Sequence, residues 1–141
     1  FSLAEWTFRP SEKELISLKE GNLIDPLLDL NESYETLSFA GVIAKDLLST
    51  QMPHKKSEDL FQLTYLYLKK LPLNPQGFLA SFKLKLLLHE GLLPHTAPTQ
   101  FSKEEWSQIE LLGFSRSFNS IEKARDVPLV KIQSFFNESL L

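Results

Sequence analysis

Residues 82–95 read FKLKLLLHEGLLPH, and this stretch decides the fold. Phe82, Leu86 and Leu87 recur at a spacing that lines one side of a helix. Gly91 follows, a residue free to adopt the left-handed conformation that closes a helix, and Pro94 cannot continue one. The stretch therefore predicts a helix that stops at a glycine and leaves through a proline. Immediately upstream, Leu71-Pro72-Leu73-Asn74-Pro75 is a proline-bounded linker, so this helix runs from about Gln76 to His89. Before the linker, SEDLF (57–61) opens another helix at Ser57, which continues to about Leu71. Leu60, Phe61, Thr64, Leu68 and Leu71 share one of its faces, and Leu63, Tyr65, Leu66 and Tyr67 widen that face. Such an all-round apolar helix is expected at the centre of a bundle, with Phe61 and Phe82 both buried.

Further upstream, Asn31 is placed to cap a helix over roughly 32–49, which contains AGVIAKDLL (40–48). Its positions Tyr34, Leu37, Gly41, Ala44 and Leu48 follow three- and four-residue steps and predict one buried stripe. Gly41 costs about 1 kcal/mol there relative to alanine, and close approach of a neighbouring helix is the expected compensation. Met52-Pro53-His54 ends the segment. Asn22 is expected to cap a shorter helix through Leu30, with Pro26 in its first turn. At the start of the chain, Phe1 to Phe8 alternates loosely and is rich in aromatics, which reads as a strand. Arg9-Pro10-Ser11 then signals a turn and Leu15 to Leu18 a returning strand. A short helix with a capping box of Ser11 and Glu14 competes; the hairpin is favoured.

Downstream, His95 to Gln100 reads as a loop. Ser102 and Glu105 form a capping box, with Phe101 and Trp106 placed as a hydrophobic staple, and Gly113 is expected to close that helix. A short helix near Ser120 to Ala124 follows. Pro128 then occupies the first turn of a last helix to about Asn137, with Val130, Phe135 and Phe136 available for packing. The fold class is mainly α, a helical bundle of about six helices with an N-terminal β-hairpin.

This order of elements resembles the C-terminal helical domain of the RecO family, the bacterial recombination mediators. The resemblance is carried by Ala40, Asp46 and Leu47 on one helix, Leu60 and Phe61 on the next, and Phe82, Leu86, Leu87, Gly91 and Pro94 on the third. It implies that residues 1–21 are a remnant hairpin, the last strands of an N-terminal OB-type domain, and that 22–141 are the helical domain. The chain begins at Phe1 rather than at a methionine, as a truncated product would. Many members of the family carry a four-cysteine zinc-binding insertion where His95 to Gln100 stands here, so the resemblance brings no metal. It implies a non-enzymatic DNA repair and homologous recombination mediator that works in the cytoplasm, at the nucleoid. The implied partners are the acidic, phenylalanine-ended tail of single-strand DNA-binding protein, RecR, and single- and double-stranded DNA; with RecR such proteins load RecA.

The bulk numbers fit. At 141 residues and 43% hydrophobic content the chain can bury one core. No apolar run approaches the roughly 20 residues that cross a bilayer. Zero cysteines exclude disulfides and cysteine-ligated zinc, and His89 and His95 lack partners at ligand spacing, so neither a metal nor a cofactor is expected. The net charge of −3 argues against a surface coated for non-specific nucleic-acid binding. Its distribution is uneven: four Lys/Arg against nine Asp/Glu in residues 1–50, six lysines against three acids in 51–100, and five against six beyond.

Catalytic signatures are missing: the sequence has no G-x-S-x-G, no phosphate-binding lysine loop and no H-E-x-x-H. Glu12, Glu14, Glu104 and Glu105 are explained by turns and helix starts. Binding is the better reading. Lys69, Lys70, Lys83 and Lys85 lie on adjacent helices beside Tyr65 and Tyr67, expected exposed or half-exposed, and lysines rimming a Leu/Phe pocket would suit an acidic peptide ending in a hydrophobic residue. Arg116 and Arg125 are further candidates, because the guanidinium fork matches phosphate and carboxylate alike. The bland alternative is that these cations are the solvated face of the bundle. Two other function classes remain open at this point, a helical protein–protein adaptor unrelated to DNA and an unrecognised helical enzyme.

Overall fold

The computed structural model describes residues 1–9, 17–52 and 55–141. Strands β1 (Leu3–Arg9) and β2 (Ser17–Asp25) pair antiparallel, with Trp6 opposite Gly21. A Cβ on Gly21 would stand 2.6 Å from the Trp6 ring, so the glycine lets the indole lie across the neighbouring strand. The turn residues Pro10 and Ser11, the Ser11–Glu14 box and Leu15 lie outside the described residues.

The helix expected from Asn22 is a strand instead. Asn22 and Leu23 pair with Glu5 and Ala4 of β1. Asp25 precedes Pro26, and the proline ring keeps the residue before it out of the helical region. Pro26 therefore ends a strand rather than opening a helix, and the 21/22 boundary falls inside β2. Leu27 turns the chain with φ of 50° into a short 3-10 helix, Leu28–Glu32.

Helix α1 (Tyr34–Thr50) is capped by Ser33, not Asn31: the Ser33 Oγ accepts from the Thr36 amide at 3.5 Å. Its buried residues are Thr36, Ala40, Ile43 and Asp46. The stripe expected in the core faces outward instead, with Tyr34 89% and Leu48 84% exposed. Among the described residues nothing lies within 4 Å of where a Cβ on Gly41 would stand, so no described helix closes on it. The apolar pattern of α1 is two-sided, and the inner side includes the polar Thr36 and Asp46 that a periodicity count discards.

Helix α2 (Glu58–Lys70) is capped by Ser57, whose Oγ accepts from the Leu60 amide at 3.3 Å, as expected. It lies on the flank of the bundle rather than at its centre, and Phe61 is 56% exposed against the expectation of burial. The centre is α3 (Pro75–His89), ten of whose 15 residues are buried, and which packs on all the other described α-helices. Phe82 is fully buried within it. Its C-terminus ends as the sequence requires: Gly91 has φ of 73°, and the Leu92 and Gly91 amides donate to the Leu87 and Leu88 carbonyls at 2.8 and 3.1 Å. These are the two bonds of the Schellman closure.

Asn74 fixes the other end of α3. Its Oδ1 accepts from the Gly77 amide at 3.3 Å, and its Nδ2 donates to the Ile121, Glu122 and Ala124 carbonyls at 3.1, 3.1 and 2.9 Å. One side chain thus caps the start of α3 and the end of α5 (Phe118–Glu122). Gly77 makes room for this, since a Cβ there would meet Asn74 Nδ2 at 2.6 Å and the Ile121 carbonyl at 2.8 Å.

Helix α4 (Lys103–Phe114) has both halves of its capping box, at 3.0 and 3.1 Å between Ser102 and Glu105, and the Phe101 and Trp106 rings meet at 5.9 Å. Gly113 does not end it: the helix runs on through Phe114, and Gly113 faces Leu84 and Leu93 where a Cβ would already be in contact at 3.4 Å. Helix α6 (Leu129–Ser139) has Pro128 as its N-cap, buries Phe135 and Phe136, and leaves Val130 exposed. The core also holds one polar chain: Tyr67 donates to Ser81 Oγ at 2.7 Å, which donates to the Leu112 carbonyl at 2.6 Å. Tyr67 is buried, not exposed as expected, and burial pushes its hydroxyl up to about 12. Among the described residues, no helix is long and apolar enough to cross a membrane.

Candidate peptide-binding groove

The four lysines of residues 69–85 do not converge on one rim. Lys83 is fully buried and sits 2.8 Å from Asp46 of α1, with its ammonium 4.7 Å from the centre of the Phe136 ring of α6. Burial pushes the Lys83 ammonium down and the Asp46 carboxyl up, while each partner's charge and hydrogen bond oppose that shift. Lys83 therefore joins three helices in the core and is not at a solvated rim. Lys69 pairs with Asp25 at 3.4 Å and lies 5.5 Å from the Tyr65 ring centre, at the junction with the hairpin. Tyr65 donates to the same Asp25 carboxylate at 2.5 Å; this bond, the Leu27 amide and Lys69 hold that carboxyl below its ordinary range. Lys70 points the other way, 5.8 Å from the Phe118 ring centre on α5.

Two members of the set line open pockets: Lys69 borders one of about 260 Å³ with Pro26, Leu28, Leu30 and Leu68, and Lys85 reaches another. This groove, about 290 Å³, runs between α2 and α3 and is lined by Asp59, Leu60, Leu63, Lys85, Leu88 and His89. The floor is Leu60, buried, with Leu63 half-buried and Leu88 partly exposed beside it. Three-residue steps on α2 bring Leu60 and Leu63 to the side facing α3, and the i, i+3 pair Lys85 and Leu88 answers them. The Lys85 ammonium donates to the Ser115 carbonyl at 2.7 Å and to the Gly113 carbonyl at 3.3 Å, which closes the C-terminal end of α4. Two of the three ammonium protons are thereby engaged at the end of α4. Burial pushes the Lys85 amine down, and the nearby Arg116 guanidinium adds to that. Arg116 is exposed and does not line the groove, though its charge is felt at Lys85. Arg125 is elsewhere, its Nη1 donating to the Glu122 and Ala124 carbonyls at 3.0 and 2.9 Å.

A second groove of about 220 Å³ flanks α2 on its other side, between α1 and α2, and shares Leu60 with the first. Leu47, Gln51, Lys55, Ser57, Phe61 and Thr64 complete it. Phe61 is displaced from the core because α2 is a flanking helix, and it stands at the edge of this groove. Sequence reasoning missed Lys55 and Gln51 here, and the exposed role of Phe61. The available signal was the loop of Lys55 and Lys56 directly before the Ser57 cap. The Gln51 amide donates to Glu90 at 2.7 Å, which ties the end of α1 to the end of α3.

The arrangement is a pair of apolar grooves with sparse cations, suited to binding an extended or helical peptide. No protein-family model matches the chain, and no solved structure matches it. Curated relatives do. The chain is 32% identical over 104 residues to the DNA repair protein RecO of Chlamydia pneumoniae, covering 72% of this chain and 41% of that one. It is 34% identical over 94 residues to the protein of the same name from Chlamydia trachomatis serovar L2, covering 65% and 39%. It is 32% identical over 94 residues to that of Chlamydia muridarum, covering 65% and 40%. The chain spans about two fifths of the length of the curated relatives it matches. These matches agree with the resemblance carried by Ala40, Asp46, Leu47, Leu60, Phe61, Phe82, Leu86, Leu87, Gly91 and Pro94. The chain is related to the RecO family.

Proposed function

We propose that this chain is the helical part of a DNA repair and homologous recombination mediator, a binding protein rather than an enzyme. The observation that carries the reading is its relationship to proteins named for DNA repair. The groove between α2 and α3 is taken to receive the acidic tail of single-strand DNA-binding protein. The terminal phenylalanine of that tail would rest on Leu60, Leu63 and Leu88, and its carboxylates would be drawn to Lys85 and Arg116. RecR, single- and double-stranded DNA, and loading of RecA complete the proposed role, which belongs in the cytoplasm at the nucleoid. The strands β1 and β2 would be the last pair of an OB-type barrel, which agrees with the exposure of Trp6, Phe8, Leu18, Leu23 and Ile24 on an uncovered hairpin. Direct DNA binding by this chain should be weak, because its net charge is −3.

Fluorescence anisotropy with a labelled tail peptide tests the reading. Binding is expected to weaken as salt rises, since exposed charges are screened over a Debye length of about 10 Å at 0.1 M. Deleting the terminal phenylalanine should abolish most of it, as removal of an interface anchor does. Leu88→Glu, in the groove, should do the same, and Arg116→Ala should weaken it. Absence of peptide binding at low salt, by chain whose circular dichroism shows it folded, would remove this function in favour of an adaptor unrelated to DNA.

A further inference from the structure

The corner where the hairpin meets the helical body holds an apolar pocket that the proposed function does not use. It measures about 260 Å³ and is lined by residues 25–30 together with Leu68 and Lys69 of α2. Leu27, Leu30 and Leu68 are its buried floor, and Leu28, 66% exposed, stands at its mouth beside Pro26. The backbone takes a strained course to build it. Leu27 adopts φ of 50°, uncommon for a residue other than glycine, and its amide donates to the Asp25 carboxylate at 3.0 Å. That turn buries Leu27 and leaves the next leucine outside. Small-molecule sites are usually larger, about 300–1,000 Å³, whereas an apolar side chain of a peptide fits a pocket of this size.

Charge says which peptide. Residues 25–35 carry four acids, Asp25, Asp29, Glu32 and Glu35, and neither lysine nor arginine. Asp29 lines the pocket, and Glu32 follows it by one turn of the 3-10 helix, on the same side. Glu35 stands directly beyond, in the first turn of α1. Lys69 is at the same rim, but its ammonium pairs with Asp25 at 3.4 Å. Asp29, Glu32 and Glu35 are exposed and have no ion pair among the described residues. We propose that this pocket docks a cationic, apolar segment of a partner protein. An apolar side chain enters over Leu28 and Leu68, and a neighbouring lysine or arginine meets Asp29 and Glu32. The same carboxylates repel nucleic acid and an acidic tail, so the molecule has two docking sites of opposite charge preference. This one does not depend on the assignment of the groove between α2 and α3.

Two blocked hexapeptides test the pocket by nuclear magnetic resonance titration of the isotope-labelled chain, one alternating leucine with arginine and one leucine with glutamate. The leucine–arginine peptide should saturably shift the amides of Leu28, Asp29, Leu30 and Leu68, and the leucine–glutamate peptide should leave them in place. Asp29→Lys should weaken binding several-fold, since it turns an exposed attraction into a repulsion. Leu28→Ser should weaken it as well, and both variants should fold, because both side chains are exposed. Lys69→Met keeps the aliphatic stem and frees the Asp25 carboxylate, so affinity for the cationic peptide should rise; a pocket for an acidic ligand would lose affinity instead. Glu110→Lys, on the exposed side of α4, should change nothing. An alanine–arginine hexapeptide that binds equally well would reduce the contact to charge attraction and overturn the proposal. So would a leucine–glutamate peptide that enters as readily, which gives the pocket to an occupant of another charge. Indifference to Asp29→Lys, or no saturable shift at millimolar peptide, overturns it too.

Discussion

The Lys83 ammonium and the Asp46 carboxylate, 2.8 Å apart, are held where almost no water reaches either side chain. Taking both charges out of water is costly, and their attraction repays the cost only while both are present. Asp46→Leu alone leaves an unpaired ammonium among Phe136 and the core, and should cost about 3–5 kcal/mol. The double variant Asp46→Leu/Lys83→Met removes both charges and should recover most of that loss, read from urea denaturation midpoints of the three proteins. If the double variant is no more stable than the single one, the pair supplies something beyond mutual neutralisation. Asn74 offers a finer test of the same kind. A carboxylate in its place would still accept from the Gly77 amide but has no proton for the Ile121, Glu122 and Ala124 carbonyls. Asn74→Asp should therefore cost roughly 1–3 kcal/mol despite its near-identical shape. Equal thermal stability would show that the contacts to α5 are incidental.

Helices α2 and α3 carry similar densities of leucine and phenylalanine, yet one is a flank and the other the centre. Phe82 is fully buried, and Phe82→Ala should cost about 3–5 kcal/mol. Phe61 stands at the mouth of a groove, so Phe61→Ala should cost less than about 1 kcal/mol. Comparison of the two denaturation curves decides the register of α2; a large loss from Phe61→Ala would return that residue to the core. The signals that survived from sequence to structure were local and directional: the Ser57 cap, the Ser102–Glu105 box and the Gly91 closure. Each is a bond between near neighbours, so the chain spells it out within five residues. The inward face of α1 instead carries Asp46, whose partner Lys83 lies 37 residues further on. A count of apolar spacings cannot see that choice. Nor could it separate Lys85, which reaches a groove, from Lys83, two residues away, because the turn of α3 alone sends them to opposite sides.

The hairpin and the helical body are joined but unequal. Among the described residues the buried core begins at Leu27, and no residue of β1 or β2 belongs to it. The hairpin touches the body chiefly through Asp25, which accepts from Tyr65, from Lys69 and from the Leu27 amide. Its strands owe their order to each other and to Trp6 lying over Gly21, whereas the helices owe theirs to α3. Isolated two-stranded hairpins are marginal in water, so the hairpin leans on the body and the body does not lean on it. Removing residues 1–24 while keeping Asp25 should then leave the helical unit folded, with its cooperative thermal transition shifted by only a few degrees. The Trp6 signal would vanish from near-ultraviolet circular dichroism while that of Trp106, buried in the core, persists. A truncated chain that loses cooperative melting would mean that strand pairing supports the helices, and that residues 22–141 are not a folding unit of their own. Retained cooperativity would place the dividing line at Asp25, where Pro26 and the left-handed Leu27 turn the chain from strand into bundle.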